Sequence, residues 1–416
     1  MKKLLILFLC ASALVNAQNR CQATEKLNQK LASDPIFREN HKRISQLLNN
    51  PNSNITYSEN GTNVVVTIPV VVHILYKNAE QNISDAQINS QITILNNDYR
   101  KLNTDFTSVV PAAFQPLGAD LEINFVLAKR TMGNQPTTGI ERKLVANSFI
   151  FEDNYYTADG LAAWDTYNYL NMWVGRFTDT SLLGFAYPPG ALGQPYDGLC
   201  IGDPFFGNTG TAIAPYNQGR TATHEIGHYF NLAHPWGNGN GSTGSSCGVG
   251  NNSDSVSDTP STSGPYDGCP SFPDNSYACT ATTNGSMFMN YMDYVYDACM
   301  ALFSVGQKTR ALAALNGPRS GLLTSQGGIS LGNSEFDNNF SFSLNPNPTS
   351  GNFVINSPNV LVDKIQIINN LGQIISTIFL SQNNSSVEIS DLATGIYFVK
   401  LYNNERILKT ERLIKN

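Results

Sequence analysis

Beyond its first 17 residues the chain has no run approaching the roughly 20 apolar residues that a bilayer span needs, which excludes an integral membrane segment in the mature protein. It also lacks excess positive charge. Lys and Arg number 26 against 32 Asp and Glu, for a net charge of -6. That balance argues against nucleic acid or an anionic membrane as the main partner. Histidine is scarce, with five in 416 residues, and cysteine nearly so, with seven. A local cluster of either is therefore informative.

What is present begins with Met1-Lys2-Lys3, an apolar run from Leu4 to Leu14, and the small-residue ending Val15-Asn16-Ala17. These read as a removable signal peptide over residues 1–17 and a secreted chain that passes through a periplasm. Cys10 lies inside the run and raises a lipoprotein reading, but Leu9 before it does not fit the small residue that lipid attachment needs. Six cysteines then remain: Cys21, Cys200, Cys247, Cys269, Cys279 and Cys299. In an exported chain, clustered cysteines default to disulfides.

Composition divides the rest. Residues 18–60 are polar, with helix-like stretches at Thr24 to Leu31 and His41 to Leu48 and an Asn-rich end, and read as a pro-segment. A main domain is expected over 61–326. Its first strand lies in the Val- and Ile-rich run Val64 to Tyr76, and Ser84 to Gln87 has the spacing of a capping box. Ile88, Ile92, Leu95 and Tyr99 follow at helical intervals, and Leu121 to Ala128 and Leu170 to Val174 read as further strands. The pattern is α/β. Residues 327–339 read as a linker. From 340 to 416, short strand-like runs separated by turn residues suggest a small all-β sandwich.

Three of the five histidines fall in His224-Glu225-Ile226-Gly227-His228-Tyr229-Phe230-Asn231-Leu232-Ala233-His234. On a helix, positions 224 and 228 are one turn apart, so both imidazoles can reach one ion with Glu225 beside it. His234 can join them only if the chain turns first. Asn231 sits where that turn is needed, and Asn tolerates the left-handed conformation that ends helices. Three nitrogen ligands leave zinc a fourth position for water, the pattern of a catalytic site. Glu225 would accept the proton of that water as it attacks a peptide carbonyl. His73, within a β-branched run, reads as a core histidine.

These residues resemble the long zinc motif of the metzincins, with Asn231 where that family carries glycine, and Met289-Asn290-Tyr291-Met292-Asp293-Tyr294 resembles the Met-turn of its pappalysin branch. Ile68 to His73, Asp254 to Pro260 and Asp297 to Met300 resemble that family's opening strand, calcium segment and the stretch after the Met-turn. The resemblance implies a metzincin catalytic domain with a mixed, mostly parallel twisted sheet and an active-site helix. It implies Met292 beneath the histidines, Tyr294 as oxyanion stabiliser, and disulfides Cys247–Cys279 and Cys269–Cys299. It also implies a calcium ion at Asp254, Val256, Asp258 and Thr259, a hard cation suited to oxygen ligands. Some relatives favour basic residues after the cut, but no acidic side chain near Met300 can be placed in such a pocket from sequence.

Cys21 could supply a thiolate to zinc's open position and keep a zymogen silent; alternatively it pairs with Cys200 or stays free. Cys200 itself reads as a small core residue. Residues Asn345-Pro346-Asn347-Pro348-Thr349-Ser350-Gly351, Leu371-Gly372 and Leu392 to Val399 resemble the sorting domain of the type IX secretion system, which implies secretion machinery as a partner. The function expected is thus a secreted zinc endopeptidase acting as a monomer on protein or peptide substrates bound along an edge strand. A surface binding or adhesion module without turnover, or a zinc amidase, are the other readings, and an intact Glu225 speaks against the binding module.

Overall fold

The structure, a computed structural model, describes residues 20–48, 65–237, 247, 253–330, 342–357, 362–380, 386–403 and 406–416. The expected signal peptide, Cys10, the Asn-rich stretch and most of the expected linker lie outside them. The chain divides into two compact units, Met1–Ser330 and Leu331–Asn416. Gly327 to Ser330, expected in the linker, belong with the first. The Gly327 carbonyl accepts from the Lys129 and Arg130 amides at 2.8 and 3.2 Å, and Arg130 Nε donates to the Ile329 carbonyl.

The sheet of the first unit is built around β1 (Val66–Tyr76), whose eight consecutive buried residues explain its Val- and Ile-rich run. Along one side β1 pairs in parallel first with β2 (Ile123–Leu127) and then with β3 (Ile140–Leu144); along the other it pairs with β4 (Leu170–Gly175). Strand β6 (Leu199–Gly202) extends the sheet in parallel, and β5 (Gly184–Ala186) closes it antiparallel to β6 as an edge. Strands β3, β5 and β6 escaped the sequence reading, two of them because three or four residues carry no period. His73 is fully buried in β1, bonded to Glu141 and Asn171 and stacked on Trp173, as a core histidine should be.

Helix α3 (Asp85–Tyr99) starts at Ser84, whose hydroxyl accepts from the Gln87 amide. The reciprocal half of the expected capping box is absent, because the Gln87 side chain instead donates to the Phe206 carbonyl and accepts from Thr211. Tertiary need overrides the local cap. A full capping box appears at Ser304 and Gln307, opening the helix Val305–Asn316.

The segment ahead of the sheet forms two helices, α1 (Ala23–Ser33) and α2 (Pro35–Leu48). They are seated by a few anchors. Phe37 is fully buried against Tyr187, Tyr196 and Ala191, and Ile44 is also buried. Lys30 lies 3.7 Å from the Tyr196 ring centroid.

The second unit faces two antiparallel sheets across a core that includes Phe353, Ile355, Ile365, Val399, Leu401 and Leu413. One holds β7 (Ser343–Asn345), β8 (Asn352–Asn356) and β11 (Ser386–Glu388) in the order β11-β8-β7. The other runs β10-β9-β12-β13, with β9 (Lys364–Ile368), β10 (Ile374–Phe379), β12 (Gly395–Asn403) and β13 (Arg406–Lys415). β8 and β11 were not foreseen, being short and bordered by polar residues.

One buried ion pair ties the first unit together. Arg319 grips Asp197 through two nitrogens at 2.9 and 3.0 Å, both side chains fully buried, and donates to the Tyr229 carbonyl at 2.8 Å. Replacing Arg319 by Leu strands the Asp197 charge and is expected to cost about 3–5 kcal/mol. The pair Asp197→Asn with Arg319→Met should cost clearly less. Denaturant midpoints of the first unit's transition check both, and equal losses would sink the account.

Candidate metal centre and active site

The helix Arg220–Tyr229 carries the site. Its N-terminus is capped from a distance: Asp297 Oδ2 accepts from the Gln218 and Arg220 amides at 2.8 and 3.3 Å. Its C-terminus ends where Asn231 takes φ +70°, the left-handed turn that sequence reasoning required. The Leu232 amide then bonds back to the Gly227 carbonyl, and the Asn231 amide to that of His228.

That turn brings His234 back over the helix. The three Nε2 atoms lie 3.0, 3.1 and 3.3 Å apart, all buried. Two of the rings are fixed from behind, His224 Nδ1 on the Tyr291 carbonyl at 2.7 Å and His228 Nδ1 on the Leu232 carbonyl at 2.8 Å. A carbonyl can only accept, so each Nδ1 carries the proton and each Nε2 presents a lone pair. Burial keeps all three imidazoles neutral, pushing His228 down to about 4 and the other two well below their ordinary value. Lone pairs so close repel unless a cation joins them. Nitrogens at 2.0–2.1 Å in a tetrahedral zinc shell sit about 3.3 Å from one another, so the donor set fits the ion.

Glu225 is buried in the next helical position, and burial raises its carboxyl to about 8. Met292 lies fully buried against Gly227, on the helix that bears the histidines. Tyr294 places its ring 5.0 Å from that of His234 and 5.8 Å from that of His224. The sequence reading missed Trp236, stacked on His234 at 4.6 Å, and Asp98. The Asp98 carboxylate accepts from Thr223 Oγ1 at 2.8 Å and Tyr291 Oη at 2.9 Å, tying the helix to the Met289–Tyr294 turn.

Cys21 enters from the opposite side. Its sulfur is 3.5 Å from His228 Nε2 and 3.6 Å from Glu225 Oε2, and it joins the three histidines in one potential metal cluster. It is not paired with Cys200, which is buried in β6. Burial and then Glu225 push the thiol well up, but a dication reverses that order by holding the thiolate. Backbone contacts fix the approach: Cys21 bridges Gly184 of the edge strand β5 in parallel, the Leu183 amide donates to the Arg20 carbonyl at 3.0 Å, and Tyr294 Oη donates to the Cys21 carbonyl at 3.2 Å.

Arg20, with Cys21, lines a pocket beside the cluster that sequence reasoning could not find. Its guanidinium stacks on Tyr216 at 4.0 Å and donates to the Val295 carbonyl at 2.9 Å. The walls include Arg220, Asp293, Tyr294, Asp297 and Met300, and only about 20 Å³ stays open. Asp293 Oδ2 and Asp297 Oδ1 are both buried without a hydrogen-bond partner. These are the acidic groups that sequence could not place near Met300. Burial raises both carboxyls, Asp293 to about 8. The signal available was only their number, two acids following Met292, whose meaning depends on a residue far away in sequence.

The loop after His234 is held by Cys247–Cys279 and Cys269–Cys299, with Cα separations of 5.2 and 5.6 Å. Around the expected calcium segment, Asp254 accepts from the Val256 amide and from Thr259 Oγ1, which also approaches the Val256 carbonyl. Asp258 turns away. Its carboxylate accepts from Ser304 Oγ and the Gly306 amide and so braces the start of the helix Val305–Asn316.

A parallel sheet with one antiparallel edge strand, above a helix that presents three converging imidazoles and a buried glutamate, defines a metalloprotease of the metzincin class. The chain belongs to the pappalysin family of metalloendopeptidases: residues 154–316 match the family model for pregnancy-associated plasma protein-A. Residues 343–416 match a secretion system C-terminal sorting domain, and the protein is secreted or held at the cell surface. An extracellular metalloprotease of Arthroderma benhamiae is 30% identical over 260 residues, 62% of this chain and 80% of the relative. Among solved structures, a Tannerella forsythia promirolysin mutant is 38% identical with a TM-score of 0.64, covering 73% of this chain and 97% of that one. Mature mirolysin of the same organism, in complex with a cleaved peptide, is 42% identical with a TM-score of 0.57 over 62% of this chain and 96% of that one.

A methyl group at Gly227 would collide with Met292 Sδ. Gly227→Ala is therefore expected to tilt the histidine rings and weaken zinc binding about 10- to 100-fold, the usual cost of disturbing what supports metal ligands. Met292→Leu should bind nearly as wild type. Competition with a chromogenic chelator measures both, and unchanged affinity in Gly227→Ala would refute the packing argument.

Proposed function

We propose that this chain is the zymogen of a secreted zinc endopeptidase that cuts peptide bonds beside a basic residue, with His224, His228 and His234 holding the metal and Glu225 as general base. The observation that carries the reading is the convergence of three buried Nε2 atoms, two of them on rings fixed from behind, beside a buried glutamate. When bound, zinc supplies Lewis acidity to a water and to the peptide carbonyl. Glu225 takes the proton released as water attacks and returns it to the leaving amine. Tyr294, whose hydroxyl already donates to a carbonyl at this point, donates to the oxygen that gains charge. The edge strand β5 orients the peptide by backbone pairing, as it now orients Arg20 and Cys21.

Latency is assigned to residues 18–60. The Cys21 thiolate takes the metal's open position, Arg20 takes the pocket, and Phe37 anchors the helices. The pocket walls, together with the preference for a basic residue after the cut that the resemblance suggests, recommend an arginine there, because two buried carboxyl groups with unpartnered oxygens, held up by burial, ionise most readily beside a guanidinium. A calcium ion at Asp254, Thr259 and the Val256 carbonyl is supported by the buried Asp254 carboxylate and its oxygen neighbours. The chain is taken as a monomer, with the C-terminal unit serving the secretion machinery.

With the pro-segment removed, wild type should cleave unfolded protein and lose that activity reversibly to a zinc chelator, while Glu225→Gln should lose at least about 10³-fold. Zinc binding without cleavage of any substrate would turn the reading toward a binding module. Cys21→Ser in the full chain should raise basal turnover. Asp297→Asn keeps an oxygen for the helix cap but removes the charge. It should lower kcat/KM for arginine peptides about 10- to 100-fold, or 1.4–2.8 kcal/mol, with little change for alanine peptides. An equal loss on both peptides would count against a charge-reading pocket.

A further inference from the structure

Between Arg43 and Lys77 the chain contains no lysine or arginine, so the whole connection from the pro-segment to β1 offers no basic residue. An enzyme that cuts beside arginine cannot separate its pro-segment there. We propose that the first maturation cut falls inside α2, at the Lys42–Arg43 bond, and is made by a second copy whose site is already open. The proposal rests on the arginine-reading pocket argued above.

Five basic residues lie between Cys21 and that gap: Lys26, Lys30, Arg38, Lys42 and Arg43. The first three are occupied. Lys26 lies 5.0 Å from the Phe185 ring centroid and donates to the Glu152 carbonyl, Lys30 caps the Tyr196 ring, and Arg38 donates to the Leu31 and Ala32 carbonyls at the end of α1. Lys42 and Arg43 are exposed. Of the two, Arg43 matches the guanidinium that Arg20 lodges in the pocket.

The cut must come from another molecule, because Arg20 and Cys21 fill this molecule's own pocket and edge strand. The bond is presentable, since α2 buries only Phe37 and Ile44 and a 14-residue helix is marginal in water by itself. Opening of its last turns releases the bond at little cost. Water adds across the Lys42 C–N bond, leaving a carboxylate on Lys42 and an amino group on Arg43.

The cut also explains release. It falls between the two anchors, so Phe37 stays with the fragment ending at Lys42 and Ile44 stays with the catalytic chain. The fragment then loses its covalent tether. A neighbour held at millimolar effective concentration becomes a ligand that dilutes away.

The test uses full-length Glu225→Ala as substrate and a trace of wild type opened by an added protease at a site engineered into residues 49–64. Intact mass and amino-terminal sequencing should show a first large product beginning at Arg43. Lys42→Gln with Arg43→Gln in that substrate should slow its conversion at least tenfold, with unchanged thermal unfolding. A first product beginning within 49–64, or an unchanged rate for the double variant, would overturn the proposal. Arginine and alanine reporter peptides run alongside separate the two readings: no arginine preference sinks the pocket, whereas preference with a cut elsewhere sinks only the maturation site.

Discussion

Three neutral imidazoles aimed at one buried point repel one another, and much of the first unit exists to hold them there. The helix supplies two by its pitch, and the left-handed Asn231 returns the third. Backbone carbonyls of Tyr291 and Leu232 fix the tautomers of two rings, so their lone pairs cannot turn away. Asp98, itself in α3, ties the helix to the turn bearing Tyr291, while Arg319 holds the carbonyl of Tyr229 at the helix end. Each contact spends stability on orientation, and a cation at the convergence recovers it.

On the proposed reading, the segment bearing Arg20 and Cys21 exploits the same geometry in a form that resists turnover. It joins the edge strand by backbone pairing, and a side chain stands where the proposed mechanism would put the scissile carbonyl. The Cys21 sulfur stands between the histidines and Glu225, and its carbonyl is bound aside by Tyr294. A bound peptide whose thiol excludes the attacking water is an inhibitor and not a substrate. Lys26 and Lys30, laid on Phe185 and Tyr196, extend the contact away from the metal.

What was legible in the sequence was local. His224, Glu225 and His228 are set by helical pitch, Asn231 by the need for a turn, and β1 by its run rich in Val and Ile. What was not legible depends on partners distant along the chain. Gln87 was assigned to a cap because Ser84 stands three residues earlier, yet its amide is claimed by a loop more than a hundred residues away. Asp293 and Asp297 could not be read as pocket walls, since only Arg20 reveals what they face. Strands β5 and β6 are too short to carry a period, although β5 is the edge that Cys21 joins. The family resemblance implied Asp258 as an ion ligand, but its hydrogen bonds to the start of a helix, from Ser304 and Gly306, depend on residues more than forty positions away.

The seat of Arg20 is imperfect, and the proposed zymogen reading gives that imperfection a use. Burial lowers the Arg20 guanidinium below its ordinary value, its Nε lacks a partner, and Asp293 and Asp297 each keep an unpartnered oxygen. A guanidinium that satisfied all of these would bind more tightly by roughly 1.5–3 kcal/mol for each charged hydrogen bond gained. Such an occupant would persist after the tether is cut and block the enzyme it was meant to release. Latency therefore has to come from several modest anchors multiplied by covalent proximity, with no single anchor strong enough alone. A pocket that also selects substrates can serve both ends only if its internal occupant fits worse than the external one.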